Sequence, residues 1–198
     1  MPTLGVAEFS RIVVTTGKPK QSRVRNISTR KEYNPAHDYY GPLRNSIKHL
    51  FTGGRHISHL YTICNRQSGT KKIKYESIVN LFKDWQSGKA ITAFTPPREL
   101  YDFSQTSITC NPELHVNLNG QARLVKLHFN STDKMTQERA NIICTVMKEA
   151  INDDGFEHSV LDLSTGRELF FNGDYEKTYD RINREIKLLE GFWVEADK

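Results

Sequence analysis

Apolar and polar residues alternate strictly on both sides of one dipeptide in this chain. Leu114, Val116 and Leu118 are separated by polar residues, Asn119-Gly120 follows, and Val125, Leu127 and Phe129 alternate again. Period-two alternation around Asn-Gly predicts a β-hairpin closed by a type I′ turn. With Asn119 and Gly120 as the loop, Leu118 faces Gln121, Leu114 faces Val125 and Glu113 faces Lys126. Directly opposed residues leave the same face of a sheet, with Cβ atoms about 5 Å apart. The hairpin then has one apolar face and one carrying Glu113, His115, Lys126 and His128.

Elsewhere the apolar spacing is helical. Asn34-Pro35 reads as a helix start, with Pro42 as the alternative beginning. Tyr39, Tyr40, Leu43, Ile47, Leu50 and Phe51 recur behind it, and Gly53-Gly54 ends the run. Such an aromatic stripe belongs to a core more often than it stacks on bases. A second amphipathic helix spans Tyr75 to Trp85, and a short strand follows at Ala90 to Phe94. The stretch from Leu100 to Thr109 has no settled assignment, although Ile108 suits a strand leading into the hairpin. After the hairpin come a helix from near Thr136, strands at Ser159–Leu163 and Glu168–Phe171, and a last helix lined by Tyr175, Tyr179, Ile182, Ile186 and Leu189. This order predicts an α/β protein of the α+β sandwich type, a small mixed sheet with a central antiparallel hairpin flanked by helices.

Charge divides the chain. Residues 1–100 hold 17 Lys/Arg against 6 Asp/Glu, and residues 101–198 hold 11 against 17. The sharpest local excess is Lys18, Lys20, Arg23, Arg25, Arg30 and Lys31, in a stretch with no acid and with only Val24 and Ile27 to anchor a short strand. It predicts a basic N-terminal arm over residues 1–33, ahead of one globular domain over 34–198. Two readings compete: the arm grips the phosphates of DNA or RNA, or the two halves fold together and neutralise one another. At 37% hydrophobic residues a sizeable core is expected, and no apolar run nears the roughly 20 residues of a membrane span. No charged segment followed by an apolar run opens the chain, which predicts a cytoplasmic protein with no membrane partner. Cys64, Cys110 and Cys144 are widely spaced and form no CxxC, so three reduced thiols are expected. His115 and His128 are not directly paired in the hairpin register and have no further Cys/His cluster nearby, so zinc is not expected.

The hairpin carries the candidate chemistry. Pro112-Glu113 opens its first strand and Lys126 lies across on the second. In this the stretch 75–165 resembles the core of the PD-(D/E)XK nuclease superfamily. That resemblance implies a core of helix, three antiparallel strands, helix and strand, the last being Leu161-Asp162-Leu163. It implies a metal-dependent endonuclease in which Glu113 holds Mg²⁺ and Lys126 stabilises charge developing on phosphate. It places an auxiliary polar residue near the start of the next helix, at Gln137 or Glu138. The chain departs from the pattern at Leu124, where the superfamily has a second acid, leaving Glu138, Glu76 or Asp102 to complete the metal site. The hairpin is also similar to that of bacterial proteins of unassigned activity, which implies no function. Two readings stand: a nuclease-like nucleic-acid-binding protein that either cuts or only binds, and a non-enzymatic domain docking to a protein partner or to its own copy through the last helix and the basic arm.

Overall fold

The computed structural model describes residues 4–28 and 38–196. In chain order the elements are β1 (Leu4–Gly5), α1 (Val6–Val13), α2 (Gly17–Ser28), α3 (Gly41–Thr52), α4 (Ser58–Asn65), α5 (Gly69–Gln86), β2 (Ile91–Phe94), β3 (Glu99–Phe103), β4 (Thr106–Cys110), β5 (Leu114–Leu118), β6 (Gln121–His128), α6 (Gln137–Ile151), β7 (Glu157–Asp162), β8 (Arg167–Phe170) and α7 (Tyr175–Ala196). The fold is α+β. One mixed sheet runs β2-β5-β6-β7-β8, and a smaller one runs β1-β4-β3.

β5 and β6 are the hairpin announced by the alternation. Leu118 lies opposite Gln121 and Leu114 opposite Val125. Asn119 and Gly120 both take positive φ, +53° and +93°, as a type I′ turn requires. Asn119 also ties in the neighbouring strand: its N–H donates to Ala90 O at 3.0 Å and its Oδ1 accepts from Ala90 N–H at 2.9 Å. β2 therefore starts in register beside β5. β7 lies parallel to β6. A parallel neighbour needs a crossover, and α6 supplies it. Thr136 caps α6 by accepting from Arg139 N–H, and Asn152 ends it in the left-handed region.

The period of two divides the large sheet between two cores. Leu114, Val116, Leu118, Val125, Leu127 and Leu161 pack against α3, α4 and α5, where Leu43, Ile47, Leu60, Tyr75 and Phe82 are buried. Val160 and Leu169 join the other core with α1, α2, α6, α7 and the small sheet. The apolar stripe of α7 lies in that second core, with Ile182, Ile186 and Leu189 fully buried, each worth about 1.5–3 kcal/mol. The face expected to meet a partner thus serves the chain's own core. No described helix is long and apolar enough to cross a membrane.

The N-terminal stretch differs most from expectation. Leu4 to Val13 form β1 and α1, with Phe9 and Ile12 in the core. Residues 17–28 are helix α2 packed on α7. Val24 and Ile27 are buried on one face of that helix, and Lys20, one turn earlier, lays its stem on the same face and pairs with Glu185. Residues 29–33 of the expected arm, and the helix start expected at Asn34-Pro35, lie outside the described residues. α3 begins at Gly41, with Pro42 in the first turn, where a missing N–H breaks no helical bond. The unassigned stretch 100–109 holds the β3–β4 hairpin, and β4 pairs in parallel with β1 through Leu4 and Ile108.

His158 on β7 makes the fold acid-sensitive. Burial draws its pKa from the usual 6.5 down to about 4, with Lys148 nearby reinforcing the shift and Asp153 opposing it. The unfolded chain then takes up a proton at this residue before the folded chain does. Stability from this group is complete above about pH 6.5 and is lost as pH falls toward 4. Urea unfolding should show wild-type protein losing about 2 kcal/mol more than His158→Gln between pH 7 and pH 5; parallel losses would remove His158 as the cause.

Candidate functional site

Glu113 and Lys126 meet as the hairpin register requires, and both are buried. Lys126 Nζ donates to Glu113 Oε1 at 2.9 Å, to Asn111 O at 2.8 Å and to Asn111 Oδ1 at 2.9 Å. An ammonium has three N–H groups, and all three are used. The other carboxylate oxygen, Oε2, accepts Leu127 N–H at 2.8 Å. Leu114–Val125 is the last pair of the β5–β6 ladder, and beyond it Pro112 has no N–H to offer. Glu113 N–H still donates to Val125 O at 3.0 Å; its side chain then bonds the next stretch of β6, and Lys126 holds the incoming Asn111 against it.

The two strands part at this point, and a cleft of about 650 Å³ opens there. Glu113, Lys126 and His128 line it from the sheet, Arg11 from α1, Arg23 from α2, and Arg44 and Lys48 from α3. Arg139 on α6 also lines it. Cationic side chains outnumber acidic ones six to three around this cleft, the acids being Glu8, Glu113 and Asp133. Asp133 lies 3.0 Å from Arg11 Nε and 3.2 Å from Arg139 Nη1. Arg139 donates to Lys134 O at 2.8 Å and is nearly inaccessible. Its burial lowers its pKa, with Asp133 working the other way. Arg44 forks onto Asp38 at 2.8 and 3.4 Å and comes within 4.0 Å of Glu113.

The expected metal set does not assemble among the described residues. Glu138 pairs with Arg181 and lines a different hollow, at the start of α7. Glu76 lies 3.8 Å from Lys72 on the surface of α5, and Asp102 accepts from Ser107 in the small sheet. Leu124 is fully buried where the resemblance calls for an acid. No group of three His, Cys, Asp or Glu able to hold a metal occurs among the described residues. Mg²⁺ bound by protein wants free carboxylate oxygens in octahedral array; both oxygens of Glu113 are engaged, and it belongs to no metal-holding group of acids among the described residues. The residues present do not fit that ion. Nor do the histidines converge: His128 bonds Asn130 O, while His115 bonds Thr95 O between Phe94 and Phe156. The three cysteines are free and buried, and burial pushes the Cys110 and Cys144 thiols up to about 12, so neither is a thiolate near neutral pH.

Of the six basic residues singled out in the sequence, Arg23 reaches the cleft. Lys20 is taken by Glu185. Lys18 and Arg25 lie on the exposed side of α2, and Arg30 and Lys31 fall outside the described residues. Arg11, just upstream in the expected arm, also lines the cleft, whereas Arg44, Lys48 and Arg139 escaped notice. A signal for three cleft residues was present, since Tyr40, Arg44 and Lys48 recur every four residues and so share one side of α3.

These features define an α+β protein with a cationic cleft at the open end of a β-hairpin. No family model, no curated protein and no solved structure matches the chain.

Removing one partner of a buried ion pair strands the other charge, whereas removing both does not. Lys126→Met should therefore destabilise the fold by about 3 kcal/mol, and the double variant with Glu113→Gln should recover a large part of that. Chemical unfolding of the wild type, both single variants and the double variant measures the coupling. Losses under about 1 kcal/mol would mark the pair as an ordinary exposed contact.

Proposed function

We propose that this chain is a nuclease-like nucleic-acid-binding protein that holds the phosphodiester backbone in the cationic cleft and binds without metal-dependent cleavage. The observation that carries the reading is the cleft's surplus of cations, gathered in a concave site from α1, α2, α3 and α6. Arg23 Nε adds weight, being buried with no hydrogen-bond partner among the described residues. An unsatisfied buried donor of this kind calls for an acceptor, and a phosphate oxygen supplies one. Clefts lined by one sign of charge concentrate field and attract polyanions.

The order of elements supports the nuclease-like part. α5, β2, β5, β6, α6 and β7 follow the helix, three antiparallel strands, helix, strand order of the superfamily core, and all four strands lie in one sheet. The β3–β4 hairpin is inserted between the first and second of them. Pro112 and Glu113 stand at the head of β5, with Lys126 beside them on β6. The engagement of both Glu113 oxygens supports binding without a metal centre. Glu113 and Lys126 satisfy one another and the frayed backbone, so the proposal gives them the upkeep of the cleft floor. Phosphate contact falls to Arg23 and Lys48. Contacts of this type orient a nucleic acid without reading its sequence.

Binding should weaken steeply with salt, because each neutralised phosphate releases counterions. Arg23→Gln and Lys48→Gln should each lower affinity and reduce the slope of log affinity against log salt by about 1. Lys83→Gln, on the exposed side of α5 away from the cleft, should leave the slope unchanged. Titration of labelled DNA and RNA across a salt series measures this, and no binding at low salt would reject the proposal. Incubation with Mg²⁺ or Mn²⁺ should leave the strands intact; cleavage abolished by Glu113→Gln would overturn the binding-only assignment.

A further inference from the structure

We infer that the nucleic acid taken by this cleft is single-stranded, its unpaired bases stacking on Tyr40 and Tyr39 at the rim; the inference rests on the nucleic-acid reading above and names its substrate. Tyr40 lines the cleft and lies stacked on Phe129, with ring centroids 5.4 Å apart and planes 22° apart. Tyr39 stands edge-on to Tyr40 at 4.8 Å and is 41% exposed, although its helical spacing marked it as core. Cations sit against the same rings. Arg44 is 5.7 Å from the Phe129 centroid, Lys74 is 5.7 Å from that of Tyr40, and Lys71 is 5.1 Å from that of Tyr39.

The path does not stop at the cleft. Phe129 also borders a second groove of about 290 Å³ along α5, lined by Lys74, Ser77, Ser131 and Ser164 among others. Positive charge and aromatic surface thus lie side by side from Arg23 and Lys48, past Arg44 and the Tyr40–Phe129 stack, to Lys74. A charged groove alone would suit a duplex or a single strand equally. The rings decide between them. In a duplex each base face is covered by its neighbours, and the outer surface is phosphate and sugar. An unpaired strand exposes base faces, and sites for such strands combine a basic groove with aromatic platforms. The cleft's volume also falls within the roughly 300–1,000 Å³ of pockets that enclose small organic ligands. That size suits individual nucleotides entering it.

The test compares three probes at moderate salt: a single-stranded oligonucleotide, the same sequence as a duplex, and an abasic sugar-phosphate strand of equal length, each in deoxyribose and ribose form where it can be made. The base-bearing single strand should bind about 10-fold tighter than the duplex or the abasic strand. Tyr40→Leu should erase that advantage and leave abasic binding unchanged, whereas Tyr40→Phe should keep it. Tyr39→Ser, at an exposed position, should reduce it without threatening the fold. Equal or tighter binding of the duplex, or equal binding of the abasic strand, would overturn the single-strand inference while leaving the cationic cleft as a nucleic-acid site. Failure of all three probes to bind would overturn the nucleic-acid reading and this inference with it.

Discussion

The clasp between Glu113 and Lys126 is the constraint around which the site is arranged. Where β5 and β6 separate, a polar backbone is left without a ladder, and unpaired N–H and C=O groups are expensive once water is excluded. The Glu113 carboxylate replaces the missing strand by accepting Leu127 N–H, and Lys126 ties the carboxylate to the carbonyl and side chain of Asn111. Each charge is therefore matched, and the strands can splay without a penalty. The cleft opens beside this end of the hairpin.

Most of the cationic side chains lining the cleft, Arg11, Arg23, Arg44 and Lys48, come from the basic first half of the chain, and Arg139 comes from the second. Some of the excess is neutralised on folding: Lys20 meets Glu185, and Arg11 meets Asp133. The remainder is not spread evenly. Arg23 and Lys48 line one concavity beside Arg44, which is itself forked onto Asp38. The halves thus neutralise one another in part, at the α2–α7 contact and at the Arg11–Asp133 pair.

What could be read in the sequence was what depends on neighbours along the chain. The hairpin and its register were legible because a type I′ turn and a period of two are local properties, and the Glu113–Lys126 meeting follows from register alone. The helices α5, α6 and α7 were legible from spacing. α2 was not, because its apolar content is two residues and its partner is α7, which nothing local announces. The small sheet was hidden for a similar reason, since β1 pairs with β4 across most of the first half of the chain. The same limit applied to the site. The floor of the cleft is one hairpin and was foreseen, whereas its walls are set by tertiary packing and were not.

Leu124 shows why a second acid would not suit this packing. It points to the same side of β6 as Lys126, two residues on, and opposite His115 and His158. It is fully buried. A carboxylate at that place would be desolvated, and Lys126, two residues on, already uses its three N–H groups. Ionised, it would face a desolvation penalty of several kcal/mol; with a metal, it would need Glu113 to release Leu127 and Lys126 together. The second change dismantles the clasp: one carboxylate cannot both close it and offer its oxygens to an ion.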